Sequence, residues 1–105
     1  MISFRQTGEV YSDIYAAREG ILRIARGVSS DERIKIDVIL EPDEYFLHTP
    51  LVFSVKEEES LKNVELSFSC NYGDAIFTSE QVLDCEAFVK NGDYYAYQFE
   101  KDEFG

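Results

Sequence analysis

Residues 34–68 read Ile34-Lys35-Ile36-Asp37-Val38-Ile39-Leu40-Glu41-Pro42-Asp43-Glu44-Tyr45-Phe46-Leu47-His48-Thr49-Pro50-Leu51-Val52-Phe53-Ser54-Val55, then an acidic segment, then Val64-Glu65-Leu66-Ser67-Phe68. Ile34, Ile36, Val38 and Leu40 alternate with Lys35, Asp37 and Ile39, the period of a half-buried strand. Glu41-Pro42-Asp43-Glu44 breaks it, with proline at a position suited to its fixed φ. Tyr45-Phe46-Leu47 is a short second strand, Thr49-Pro50 turns it, and residues 51–55 are a third. Lys56 to Asn63 is expected as a charged loop. A fourth strand, 64–68, points Val64, Leu66 and Phe68 inward. Strand and corner alternate every few residues with no helix between them, as in a chain that winds around an axis.

Working outward, residues 12–27 hold a single helix. Ser12 is the expected N-cap, with Asp13 complementing the helix dipole. Ile14, Ala17, Ile21 and Ala25 recur at helical spacing, and Leu22 and Ile24 widen the stripe. Glu19 and Arg23 are placed to pair at i, i+4. Arg23 and Arg26 suit the last turn, and Gly27 stands where a C′ residue belongs. Gly20 costs about 1 kcal/mol relative to alanine in mid-helix, which points to close packing against a neighbouring backbone. Toward the C-terminus, Asn71-Tyr72-Gly73-Asp74 is a turn and residues 75–78 a short strand. Asn91-Gly92 is the strongest hairpin signal, between residues 88–90 and 94–99. The charged tail 100–105 is expected to fray.

The order of these segments resembles the opening of right-handed parallel β-helix proteins, mostly pectate-lyase-like lyases and glycoside hydrolases. The resemblance covers roughly residues 9–99. It rests on a helix with Ala16-Ala17-Arg18-Glu19 at its centre, the run from Val38 to Tyr45, the polar-Pro-Leu-Val-Phe run Thr49-Pro50-Leu51-Val52-Phe53, and the segment from Cys85 to Ala96, which looks like a hairpin inserted early in several such enzymes. It implies a mainly β fold with one N-terminal helix, the start of a β-helix, with the helix capping the end of the coil stack. A small α+β domain is the alternative. The family's catalytic carboxylates lie on later coils, so no catalytic, cofactor-binding or metal-ligating residue is carried onto this chain.

Composition bounds the rest. The 105 residues form one domain with a modest core. Residues 1–30 hold Arg5, Arg18, Arg23 and Arg26 against Glu9, Asp13 and Glu19, a balance of +1, so the rest of the chain carries −12 and the whole −11. Such a field repels phosphate backbones and argues against nucleic-acid binding. No segment is long and apolar enough to span a membrane, and the N-terminus does not read as a signal peptide. That leaves localisation open: cytoplasmic for a complete chain, extracellular if a leader was left off. Cys70 continues the Val64–Leu66–Phe68 alternation as a small buried hydrophobe, and a disulfide to Cys85 stays open.

Isolated chemistry candidates each have a plainer reading. His48, at a corner, has no nucleophile beside it. Glu57-Glu58-Glu59 and Asp102-Glu103 are consecutive acids, which seldom converge on one cation. Asp43 and Glu44 are adjacent in a turn and point apart, unlike paired acid/base carboxylates. Tyr94, Tyr95 and Tyr97 suit a sugar-stacking platform or the aromatic face of a hairpin. Two functions follow: a noncatalytic capping portion of a β-helix polysaccharide-degrading enzyme, or a small acidic interaction protein of the inhibitor or immunity type. The first implies as partners the rest of its own β-helix or self-association through sheet edges, with polysaccharide as a further candidate and no cofactor.

Overall fold

The computed structural model describes residues 1–48, 52–78, 87–90, 93–94 and 100–102. In chain order the elements are β1 (Ile2–Phe4), β2 (Val10–Tyr11), α1 (Ile14–Arg26), β3 (Ile34–Leu40), β4 (Asp43–Phe46), β5 (Val52–Ser54), α2 (Val55–Ser60), β6 (Val64–Cys70), β7 (Asp74–Thr78), β8 (Ala87–Lys90), β9 (Asp93–Tyr94) and β10 (Glu100–Asp102). The chain is mainly β with one long helix.

Three successive strands set the plan. β3 pairs in parallel with β6 from Ile34↔Val64 to Leu40↔Cys70, and β4 pairs in parallel with β7 from Asp43↔Ala75 to Phe46↔Thr78. β5 pairs in parallel with β10 from Val52↔Glu100 to Ser54↔Asp102. Each of β3, β4 and β5 thus has a parallel partner later in the chain, in the same order. The register stacks like on like inside: Val38 on Phe68, Leu40 on Cys70, Tyr45 on Phe77, all buried. The Tyr45 and Phe77 rings lie 5.4 Å apart between centroids. The corners stack as well. Gly73 has φ +81°, and a Cβ there would come within 3.3 Å of Pro42 Cβ. Glycine therefore serves twice, for the left-handed backbone and for room beneath Pro42.

On the other side of β3 the pairing is antiparallel. β1 pairs with β3 (Ile2↔Leu40) and with β2 (Ile2↔Tyr11), giving a sheet ordered β2-β1-β3-β6. Ile2 and Phe4 are buried and Ser3 faces out. The second sheet is ordered β4-β7-β8-β9, its last strands an antiparallel hairpin that also lies against β6. The helix α1 rests on β1, β2 and α2, burying Ile14, Ala17, Ile21, Leu22 and Ala25 as its spacing requires.

Several sequence expectations shift. The N-cap is Asp13, not Ser12: its backbone is extended and its Oδ1 accepts from the Ala16 N–H at 2.8 Å. Gly27 closes the helix at φ −90°, a conformation open to any residue. Gly20 faces a side chain rather than a backbone, since a Cβ there would meet Tyr11 Oη at 2.1 Å. Glu19 pairs with Arg18 and Arg23 with Glu9, instead of with each other. The strand expected at 45–47 runs over Asp43–Phe46, so the corner tightens to Glu41-Pro42. The expected loop 56–63 begins as the helix α2, so a short helix does lie between β5 and β6. Part of the expected frayed tail, Glu100–Asp102, is a paired strand. Asn91 and Gly92 lie outside the described residues, but β8 and β9 flank them as an antiparallel pair, Lys90↔Asp93.

The packing gives two expectations. Ile21→Ala removes a fully buried side chain and should cost about 2–5 kcal/mol of unfolding free energy; an unchanged denaturant midpoint would remove α1 from the core. Gly20→Ala should gain about 1 kcal/mol of helix propensity only where Tyr11 is gone. Denaturation of both single variants and of the Gly20→Ala/Tyr11→Ala pair measures that coupling, and additivity would mean Tyr11 is not the obstacle.

Candidate functional site: the outer face of the first sheet

The outward residues of β3 and β6 are polar except Ile39, which with Val10 of β2 makes one end of the face apolar. At the polar end Asp37 collects partners. It accepts from Ser67 Oγ across the parallel pair and from Gln6 Nε2 at 2.9 Å, and its own N–H donates to Gln6 Oε1 at 2.9 Å. Arg5 Nε lies 3.5 Å and Lys35 Nζ 3.9 Å from its carboxylate. The Ser67 hydroxyl above all, then Gln6 and the two cations, hold the Asp37 carboxyl below its ordinary value. A carboxylate so supplied is a tie between the turn after β1, β3 and β6 rather than a free base.

At the apolar end the cross-strand row runs Val10, Ser3, Ile39, Ser69. Small Ser3 between two aliphatic neighbours leaves a dent. The Glu41-Pro42 corner and Asn71-Tyr72 raise its rim, and Met1 closes one side, making an open trough of about 300 Å³. Val10 is 56% and Tyr72 81% exposed. Beneath it Tyr45 reaches up from the core. Its hydroxyl donates to the Glu41 carbonyl at 2.8 Å, with the Met1 carbonyl at 3.3 Å. Burial, reinforced by the Asp43 and Glu41 charges, pushes the Tyr45 phenol up to about 12.

A third cluster joins the two helices. Ser54 and Glu57 form a reciprocal capping box: the Glu57 N–H donates to Ser54 Oγ at 3.1 Å, and the Ser54 N–H donates to Glu57 Oε1 at 3.0 Å. Arg18 Nη2 donates to the same Oε1 at 2.8 Å, and its guanidinium lies 4.9 Å from the Phe53 ring centroid. Arg26 stands 3.9 Å from Glu57 Oε2. The Ser54 N–H first, and then Arg18, hold the Glu57 carboxyl below its ordinary value.

The residues singled out by sequence do not converge. His48 is exposed and stacks on Tyr15, with ring centroids 4.7 Å apart. Asp43 Oδ1 accepts the Glu44 N–H at 2.8 Å, and both are exposed on neighbouring positions of β4. Glu59 pairs with Lys62, just past the end of α2, while Glu57 turns to Arg18, so these two acids of the run part. Asp102 and Tyr94 sit in β10 and β9; Glu103, Tyr95, Tyr97 and Cys85 lie outside the described residues. Cys70 is a free, buried thiol whose pKa burial pushes up, with Sγ donating to the Tyr72 carbonyl at 3.7 Å. Among the described residues no group of three or more His, Cys, Asp or Glu is placed to hold a metal ion. The sequence reading passed over the trough and the capping box. The signal for the second was present in Ser54-x-x-Glu57; the first depends on which residues β1 and β2 bring beside β3.

No protein-family model, characterised protein or solved structure matches this chain.

The folded Glu57 pKa lies below the ordinary value of 4.5. Its stabilising contribution is therefore complete above that value and is lost as pH falls through the folded pKa. Glu57→Gln should be less stable than the parent near neutrality, and the gap should narrow between about pH 5 and pH 3. Denaturation at a series of pH values checks this; a gap constant with pH would place the effect in packing and not in charge.

Proposed function

We propose that this chain is the helical cap and first coils of a right-handed parallel β-helix of the polysaccharide-degrading kind, an end-covering and folding part without chemistry of its own. The observation that carries the reading is the in-phase parallel pairing of β3, β4 and β5 with β6, β7 and β10. The stacked Pro42 and Gly73 corners support it. So does the position of β1, β2 and α1, on the side of β3 away from β6, where the start of a stack needs covering. The polar ties at Asp37 and Glu57 join elements to each other and hold no group poised for transfer. On this reading the partners are further coils of the same kind, or a second copy meeting a sheet edge. A sheet that ends at an unpaired strand offers its N–H and C=O groups to any strand that approaches.

One observation favours the second reading, a small acidic interaction protein. The β8–β9 hairpin extends the second sheet past β7 and lies against β6, so the chain itself covers part of the stack's far end.

Sedimentation at micromolar concentration separates the two. Coil edges left open should give a dimer or larger species that grows with ionic strength, as salt screens the repulsion of an acidic chain. A strict monomer at low and high salt would favour the interaction protein. Incubated with pectins and xylans, the chain should release no product, and turnover abolished by substitution of Asp43, Glu44 or His48 would overturn the noncatalytic assignment.

A further inference from the structure

The trough on the first sheet has no part in the capping role, and its chemistry is uneven in an informative way. Its walls are mostly aliphatic: Met1, Val10, Ile39 and Pro42, with Tyr72 as the one aromatic among the described residues. At about 300 Å³ it stands at the small end of ligand pockets. That suits one or two apolar side chains better than a drug-sized molecule. A sugar ring needs a broader aromatic platform than Tyr72 alone supplies. One acid, Glu41, lines the trough, and two more stand just beyond lining residues along the chain: Asp43 next after Pro42, and Asp74 two past Tyr72; all three are exposed. The Met1 amino group lies 3.6 Å from Glu41, and Lys90 stands in register with Asp74. The acids still outnumber these cations, in a chain of net charge −11. A second copy of the chain would bring the same acidic rim against this one, which like-charge repulsion disfavours.

We propose that the trough is a docking site for a basic polypeptide segment, which seats one apolar side chain between Val10, Ile39 and Tyr72 and lays its lysines or arginines against Glu41, Asp43 and Asp74. The apolar seat supplies the hold and the acidic rim the approach and orientation.

A fluorescein-labelled peptide with lysines on both sides of a single leucine tests this by anisotropy, with two control peptides, leucine replaced by serine and lysines replaced by glutamate. Val10 and Tyr72 are exposed, so Val10→Ser and Tyr72→Ser leave the core untouched; Glu32→Gln, before the opposite end of β3, serves as the control variant. The lysine–leucine peptide should bind, with affinity falling as salt rises. The serine peptide and each trough variant should weaken binding roughly tenfold or more. The glutamate peptide should not bind, and Glu32→Gln should change nothing. Amide resonances of Ser3, Val10, Ile39 and Asn71 should shift on titration. Equal affinity for the serine peptide, or insensitivity to both trough variants, would reduce the effect to general charge attraction and overturn the proposal. So would shifts at the trough produced by a xylo-oligosaccharide and not by the peptide. A dimer dissolved by Tyr72→Ser in the absence of peptide binding would assign the trough to a second copy instead.

Discussion

The parallel pairing of β3 with β6 is the constraint on which the rest depends. Seven residues of each strand are in register, and the period of two in both sequences makes that register nearly unique. A slip by one would turn Val38 and Leu40 outward and bury Asp37 and Lys35. With the register held, the chain leaving each strand must turn at the same level. Pro42 and Gly73 do so one above the other, and β4 then has no choice but to meet β7. Inside, Val38 meets Phe68, Leu40 meets Cys70 and Tyr45 meets Phe77 across the parallel pairs.

Parallel strands cannot be joined by a tight turn, and the connection from β5 to β6 shows what the chain does instead. A short helix, α2, carries it back. Six residues of helix are too few to be stable alone. The Ser54–Glu57 capping box closes its first turn, and Arg18 and Arg26 hold it from α1. In a strongly acidic chain, five of the ten lysines and arginines make such joints. Arg18 and Arg26 tie α1 to α2, Arg23 ties it to Glu9 ahead of β2, and Arg5 and Lys35 flank Asp37. The exposed ones among these pairs contribute little each; Glu57, with its hydrogen bonds inside a cap, contributes more because its geometry is set by the backbone.

The two ends of the first sheet's outer face differ for a reason that lies in β1. Ser3 is the only outward residue of that strand, and its size decides that Val10 and Ile39 stand apart with space between them. An aliphatic residue there would fill the trough and leave a flat surface. The inner face of the same strand, Ile2 and Phe4, is packed solid. One three-residue strand thus serves the core on one side and leaves a cleft on the other.

Much of this was legible in order along the chain. The stripe from Ile14 to Ala25 declares α1 because burial repeats every three to four residues there. The alternations at 34–40 and 64–68 declare β3 and β6 because one side of each strand must face the core. Local chemistry also marked the corner at Pro42, the turn at Gly73 and the hairpin around Asn91-Gly92. What escaped was whatever depends on a partner distant in sequence. Three residues of alternation in Ile2-Ser3-Phe4 are too short to stand out until β3 offers an edge to pair with. Glu100–Asp102 looks like a charged end until β5 lies beside it. Gly20 is a defect in an isolated helix and becomes a seat only when Tyr11 occupies the space. Glu57 is one of three identical neighbours until Ser54 and Arg18 select it. Periodicity and turn chemistry are carried by neighbouring residues, so the sequence by itself determined the longest elements, α1, β3 and β6, and their inward faces. Pairing, close approach and the trough are made by residues far apart in the chain, and only the tertiary structure decided which of them meet.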